Sequence, residues 1–122
     1  MTVPTDPAYL VGTGAAIGAV ARYLAADFVV KWQGSEPFPT STLVVNVVGS
    51  FVLGLVVLGG ASEPAALLIG TGACGAFTTY SSFSVQTVRL WEDGMAGYAV
   101  ANAVGNLALS AAAVGVAWLL VG

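Results

Sequence analysis

Four long apolar segments, separated by short polar connections, are the feature that most constrains this chain. They cover residues 9–30, 40–60, 64–91 and 95–121, and each is long enough to cross a bilayer, which takes about 20 helical residues. Because 57% of the residues are apolar and only 7% are charged, a soluble fold would lack polar surface. The sequence therefore predicts an all-α membrane protein, with one four-helix transmembrane domain spanning residues 1–122.

The third segment contains a run of residues, 72–83, that is rich in glycine and hydroxyl groups. Gly72 and Gly75 weaken a helix, and the hydroxyl side chains between residues 78 and 82 offer the backbone other hydrogen-bond partners. At membrane depth, a broken backbone is tolerated only where protein or a water-filled path satisfies it. Since interrupted helices of this kind commonly hold ions, we expect a broken third helix with the functional site at the break.

Polar side chains also recur at helical spacing in the second and fourth segments. Thr42 and Asn46 share one face of the second segment. The fourth segment carries a ladder of polar residues at four-residue spacing: Tyr98, Asn102, Asn106 and Ser110. Such a ladder would be costly against lipid, so it indicates either contact between helices or a polar conduit.

Arg22 lies inside the first segment, where a guanidinium group must reach the interface, find a partner or face a wet interior. Asp27 is five residues further on, which is a poor spacing for pairing on a helix. Two interpretations remain open. Arg22 either extends to the membrane surface or has a structural or electrostatic role at the end of a vestibule.

Several classes of function lack the residues that they need. The chain has no His and only three basic residues, which removes imidazole chemistry and the basic patch of a nucleic-acid-binding protein. Cys74 is its one cysteine, so no internal disulfide can form, and we expect a buried apolar thiol. No nucleophile has a base within the apolar segments, so we do not expect an enzyme.

Four blocks of sequence resemble the Fluc (CrcB) family of fluoride channels. They are GTGAAIGAVARY (12–23), TLVVNVVGSFVLG (42–54), GACGAFTTYSSFS (72–84) and NLALS (106–110). The third block is the most specific, and together the blocks touch all four segments. The resemblance implies an antiparallel dimer of two four-helix subunits, with two fluoride pores and a central structural sodium ion.

The resemblance also assigns roles to residues of this chain. The backbone carbonyls of Gly75 and Thr78 would bind sodium. Two aromatic rings lining the fluoride path would be those of Tyr80 and Phe83, and the pore asparagine would be Asn46. Further hydroxyl or amide donors would come from six other positions: Thr42, Thr79, Ser82, Asn102, Asn106 and Ser110. Three residues depart from the family pattern. Tyr80 replaces a phenylalanine, Ser41 a glycine and Gln86 a frequent glutamate.

The function implied is a passive, fluoride-selective channel in the cell membrane that exports fluoride and so reduces its toxicity in the cytoplasm. Donors without fixed positive charge suit a small, strongly hydrated anion that must also leave. The alternatives are a small multidrug-type, proton-coupled exporter and an accessory membrane subunit. A proton-coupled exporter needs a titratable group at membrane depth, and the six carboxylates all lie in loops or near segment ends.

The charges in the loops predict a preferred orientation. Lys31 and Arg89 lie on the side of the first and third connections, and Arg22 is nearest to that side, whereas the side of both termini has no basic residue. By the positive-inside rule, both termini lie outside. A chain with one orientation would pair with a paralogue inserted the opposite way. A homodimer of chains inserted both ways stays an open alternative.

Overall fold

A computed structural model describes residues 6–122, and all of its regular elements within that range are helical. They are α1 (Pro7–Gln33), α2 (Thr40–Leu58), α3 (Glu63–Ala65), a π-helical segment (Ala66–Cys74), α4 (Gly75–Phe77), α5 (Tyr80–Glu92) and α6 (Ala96–Val121). The third crossing is the succession from α3 to α5. The expected fold, with four helical crossings and a broken third, is confirmed.

Local capping explains where the helices begin and end. The Asp6 carboxylate accepts a hydrogen bond from the Ala8 N–H, and Pro7 occupies the first turn of α1. Gly34 ends α1 with a φ of 76°, a conformation that glycine adopts without strain. α1 is therefore longer at both ends than residues 9–30. α2 ends at Leu58, two residues before Gly60, which has a φ of 72°.

The break in the third crossing lies at Thr78 and Thr79, whose backbones are extended, with ψ of 160° and 119°. The glycines predicted to weaken the helix lie before it, because Gly72 belongs to the π-helical segment and Gly75 begins α4. This interruption explains why α1, α2 and α6 are each long and apolar enough to cross a membrane, whereas no single helix of the third crossing is.

Close approach of backbones holds α1 against the π-helical segment. A Cβ atom at Gly14 would overlap the Leu68 carbonyl oxygen, and one at Gly18 would overlap the Ala73 carbonyl oxygen. Small residues allow this packing, which stabilises membrane helices where no hydrophobic effect separates lipid from protein. A Cβ atom at Gly54 of α2 would lie 2.8 Å from the Cβ of Ala117 on α6.

The distribution of polarity is that of a membrane protein. The polar side chains of Thr42, Thr79, Asn102 and Asn106 are buried, whereas large apolar side chains on α1 and α6 are exposed. Cys74 is also buried, as predicted. Because the outside is apolar and part of the interior is polar, the crossings pack around a hydrogen-bonded centre.

We expect Gly14→Ala to lower the free energy of unfolding by about 2 kcal/mol, because overpacking forces backbones apart. The matched control is Gly12→Ala on the same helix, where an added Cβ meets no atom within 4 Å. Denaturant titration in detergent micelles, followed by circular dichroism, measures both. Equal stability of the two variants would contradict the close packing of α1.

Candidate functional site

The Asn46 side chain replaces the helical hydrogen bonds that are lost at the break. Its Oδ1 accepts a hydrogen bond from the Thr79 N–H at 2.8 Å, and its Nδ2 donates to the Thr79 carbonyl at 3.2 Å. Thr79 also caps α5, since its Oγ1 accepts a hydrogen bond from the Ser82 N–H at 3.1 Å. The extended residue is thus held on both sides, as buried backbone polar groups require.

Asn46 is in turn bonded to α6. Its Nδ2 donates to Asn106 Oδ1 at 2.8 Å. Asn106 Nδ2 donates to both the carbonyl and the Oδ1 of Asn102, at 2.8 and 2.9 Å. Asn102 Nδ2 donates to Thr87 Oγ1 at 2.8 Å. Thr87 Oγ1 in turn donates to the Phe83 backbone carbonyl. We call these six residues the polar relay: Thr79, Asn46, Asn106, Asn102, Thr87 and Phe83.

A cavity of about 820 Å³ lies against the break. Eight of the predicted site residues line it: Asn46, Gly75, Thr78, Thr79, Tyr80, Phe83, Asn106 and Ser110. The Tyr80 and Phe83 rings lie side by side, with centroids 6.1 Å apart. Tyr80 is 80% exposed, so this end of the cavity opens on the surface of the chain.

A second cavity, of about 340 Å³, lies on the other side of Thr79, which lines both. Arg22, Thr42 and Ser82 line this cavity, together with Ser41 and Gln86. Arg22 Nη1 lies 3.5 Å from the Thr78 carbonyl oxygen, so the guanidinium group faces the break. Arg22 thus lines a cavity within the protein, and its role at the end of a vestibule stays a prediction.

Gln86 and Ser41 also line a third cavity, of about 370 Å³, which reaches the ends of the helices near Glu36 and Arg89. Within residues 6–122, the buried Gln86 Oε1 has no hydrogen-bond partner. Two of the three departures from the family pattern therefore lie where the second and third cavities meet.

Two members of the predicted ladder on α6, Asn102 and Tyr98, line neither of the two cavities beside the break. Asn102 is fully buried within the relay, and the Tyr98 hydroxyl donates to the Glu36 carboxylate at 2.8 Å. Sequence reasoning missed Thr87, which lies four residues after Phe83 and eight after Thr79. That spacing places Phe83 and Thr87 on one side of α5, which begins after Thr79, and could have indicated a shared role.

The break also presents oxygen ligands. In a continuous helix, the Thr79 N–H would bond to the Gly75 carbonyl, but here it donates to Asn46. The Gly75 carbonyl is thereby freed from its helical partner, and the Thr78 carbonyl faces the Arg22 guanidinium at the long distance of 3.5 Å. Unwound carbonyls of this kind suit sodium. Two such oxygens from one chain form only part of a coordination shell.

The carboxylates that the structure describes lie away from the cavities at the break. Asp27 pairs with Lys31 at 2.9 Å, Glu36 lies in the first loop, and the remaining acidic residues stand next to helix ends. The residues described here thus give the two cavities hydroxyl, amide and aromatic groups and one guanidinium, with no acidic group for proton coupling. This disfavours a proton-coupled exporter.

The fold and the cavities define a multi-pass helical membrane protein with a cavity on each side of a broken helix. Residues 9–118 match the family described as "CrcB-like protein, Camphor Resistance (CrcB)", and the chain belongs to this family.

Similar curated proteins cover nearly the whole chain. It is 51% identical over 119 residues to "Fluoride-specific ion channel FluC 2" of Haloarcula marismortui, covering 98% of this chain and 97% of that protein. It is 49% identical to "Fluoride-specific ion channel FluC 1" of Halobacterium salinarum, covering 94% and 93% of the two chains. A protein of Streptomyces avermitilis with the same name as the latter is 47% identical, over 88% of this chain and 90% of its own.

We expect Asn46→Asp to lower the free energy of unfolding by about 3 kcal/mol, because the new side chain still accepts from Thr79 but loses both donated bonds. Denaturant titration in micelles measures the change. Ser110→Ala is the control, because the Ser110 side chain lines the same cavity and makes no hydrogen bond within residues 6–122; it should alter stability by less than about 0.5 kcal/mol. Asn46→Asp with parental stability would contradict the role of the amide at the break.

Proposed function

We propose that this chain is a fluoride-selective channel. The observation that carries the proposal is the convergence of uncharged donors and two aromatic rings beside a broken helix, in a family whose curated relatives are named fluoride-specific ion channels. Fluoride holds its water strongly, so a pore must offer many donors in exchange. Hydroxyl groups, amide N–H groups and the positive edges of aromatic rings do this without a fixed charge that would trap the ion.

Along the proposed path, the ion passes the larger cavity, where Phe83 and Tyr80 present their rings and Ser110 its hydroxyl group. Asn46 and Asn106 border the same cavity, but their amide hydrogens already bond to protein. The 3.2 Å bond from Asn46 to the Thr79 carbonyl is the longest that Asn46 makes, so it is the bond that an anion would share. In the second cavity, which Arg22 also lines, the hydroxyl groups of Thr42, Thr79 and Ser82 are the proposed donors to the ion.

We propose passive flow, with fluoride leaving the cell down its electrochemical gradient across the plasma membrane. The cavities at the break contain no acidic group, among the residues described, that could couple flow to protons. The Arg22 guanidinium attracts anions to the second cavity without lying on the aromatic side of Thr79. Export of this kind would lower fluoride toxicity in the cytoplasm.

We further propose that the working unit is an antiparallel dimer with a structural sodium ion. Two features support it. Tyr80 is 80% exposed beside a broken backbone, which membrane proteins cover with protein. The Gly75 and Thr78 carbonyls supply only two oxygens, so a second chain would contribute the rest. That chain is either a second copy or a paralogue inserted the opposite way. The loop charges favour the paralogue.

The purified chain, reconstituted into liposomes, should release fluoride at least about a hundredfold faster than chloride, since the donors match the smaller and more strongly hydrated ion. Ion-selective electrodes measure both anions. Empty liposomes give the background. Similar rates for the two ions would contradict the proposal, and flux from the single chain would favour a homodimer over a paralogue pair.

Phe83→Ile should lower fluoride flux by about tenfold or more, because it removes the ring edge but keeps much of the apolar volume. The matched control, Phe28→Ile, makes the same change on the exposed face of α1, where the side chain is 71% exposed, and should conduct like the parent. If Tyr80→Ile stops flux and Phe83→Ile does not, Tyr80 carries the working ring instead.

A further inference from the structure

Five hydrogen bonds of the polar relay form a chain that points in one direction, from Thr79 to Phe83. Asn46 also donates back to the Thr79 carbonyl. The first donor is the backbone N–H of Thr79, and the last acceptor is the backbone carbonyl of Phe83, to which Thr87 Oγ1 donates at 2.7 Å. Between these ends, each of the three asparagines accepts through its Oδ1 and donates through its Nδ2. The Thr79 N–H and the Phe83 carbonyl thus end a directed chain that crosses α2, α6 and α5, and the Thr79 and Asn102 carbonyls hold the Asn46 and Asn106 amides in the same sense.

Thr87 fixes this polarity at the end remote from the break. A hydroxyl group has one hydrogen, and Thr87 donates it to the Phe83 carbonyl of its own helix. Toward α6 it can therefore only accept, which requires Asn102 to turn its Nδ2 to Thr87 and its Oδ1 to Asn106. The same requirement then passes to Asn106, which must present its Oδ1 to Asn46.

Without this constraint Asn102 could reverse. Its Nδ2 would then face the Nδ2 of Asn106, which also donates to the Asn102 backbone carbonyl and cannot turn without losing that bond. Asn106 would have to shift instead, and with it the bond between Asn106 and Asn46 that adjoins the break. A change at Thr87 thus places two donors against each other one relay residue away from Asn46, because bonded networks of this kind act as a unit.

We propose that Thr87 and Asn102 are positioning residues for the ion path. Neither lines either cavity at the break, and Asn102 is fully buried. They act through the other members of the relay: they orient the Asn106 and Asn46 amides that border the larger cavity, and they anchor the backbone of Phe83. The effect on flux rests on the proposed fluoride channel, whereas the effect on amide orientation does not.

The test compares Thr87→Val, which keeps the shape but removes the hydroxyl group, with Thr87→Ser, which keeps the hydroxyl group. The matched control is Ser84→Ala, because Ser84 Oγ makes the same kind of bond to its own helix, to the Tyr80 carbonyl at 2.9 Å, without a partner on α6. Two quantities are measured: fluoride efflux from liposomes, and hydrogen exchange of the Thr79 N–H by NMR in micelles.

Thr87→Val should lower fluoride efflux and speed Thr79 exchange by about tenfold each, because a buried N–H of Asn102 loses its acceptor. Thr87→Ser and Ser84→Ala should stay within about twofold of the parent in both, since one keeps the acceptor and the other lies outside the relay. If Thr87→Val does not assemble, Thr87→Ala, which is smaller, takes its place in both measurements.

If Thr87→Val keeps the fluoride efflux and the Thr79 N–H exchange rate of the parent, the proposal is overturned. Equal losses in Thr87→Ser would also overturn it, because they would show that the hydroxyl group is not what matters. If the parent passes no fluoride, the proposed function fails. The exchange of Thr79 then decides the relay alone.

Discussion

The pair of hydrogen bonds between the Asn46 amide and the Thr79 backbone is the interaction on which the rest of the site depends. An extended residue at membrane depth would otherwise leave a donor and an acceptor without partners, at a cost of several kcal/mol in hydrocarbon. Because an amide carries both kinds of group, one side chain meets both needs. It thereby lets a crossing change direction where the two cavities meet, and Thr79 becomes the wall between them.

The same arrangement concentrates electrostatic field at the break. The Arg22 guanidinium approaches the Thr78 carbonyl from one side, while the Gly75 carbonyl has lost its helical donor. Within the part of the chain that is described, the one ion pair joins Asp27 and Lys31 on α1. The charge of Arg22 is therefore not neutralised by a described carboxylate and acts on the second cavity. A cation held at these carbonyls would lie near the guanidinium, and the anion-attracting side of the break would become more positive still.

Much of this fold could be predicted from sequence, because its signals are local. Segment lengths predicted four crossings, and the hydroxyl-rich run located the interruption to within a few residues. The details depended on contacts between helices. The break follows Gly75 by three residues because Asn46 accepts from the Thr79 N–H, and Asn102 turned away from the cavities because Thr87 lies opposite. Tyr98 likewise bonds to Glu36 of the first loop instead of lining a cavity. Such contacts depend on how one segment is aligned with the next, which the sequence of a single segment does not determine.

The π-helical segment Ala66–Cys74 has a consequence for how this region can change in length. A π-helix bonds each N–H five residues back, so it accommodates one more residue than an α-helix of the same number of turns. Its start is fixed by Ser62 and Pro64, and its middle is held by the backbone contacts at Gly14 and Gly18. Loss of one residue here would rewind the segment as an α-helix with the same number of turns and would leave the residues beyond it facing the same way. Thr79 would still meet Asn46, so related sequences should tolerate a single-residue deletion between residues 66 and 74 better than one within the continuous helix α2, where each residue lost rotates the rest by about 100°.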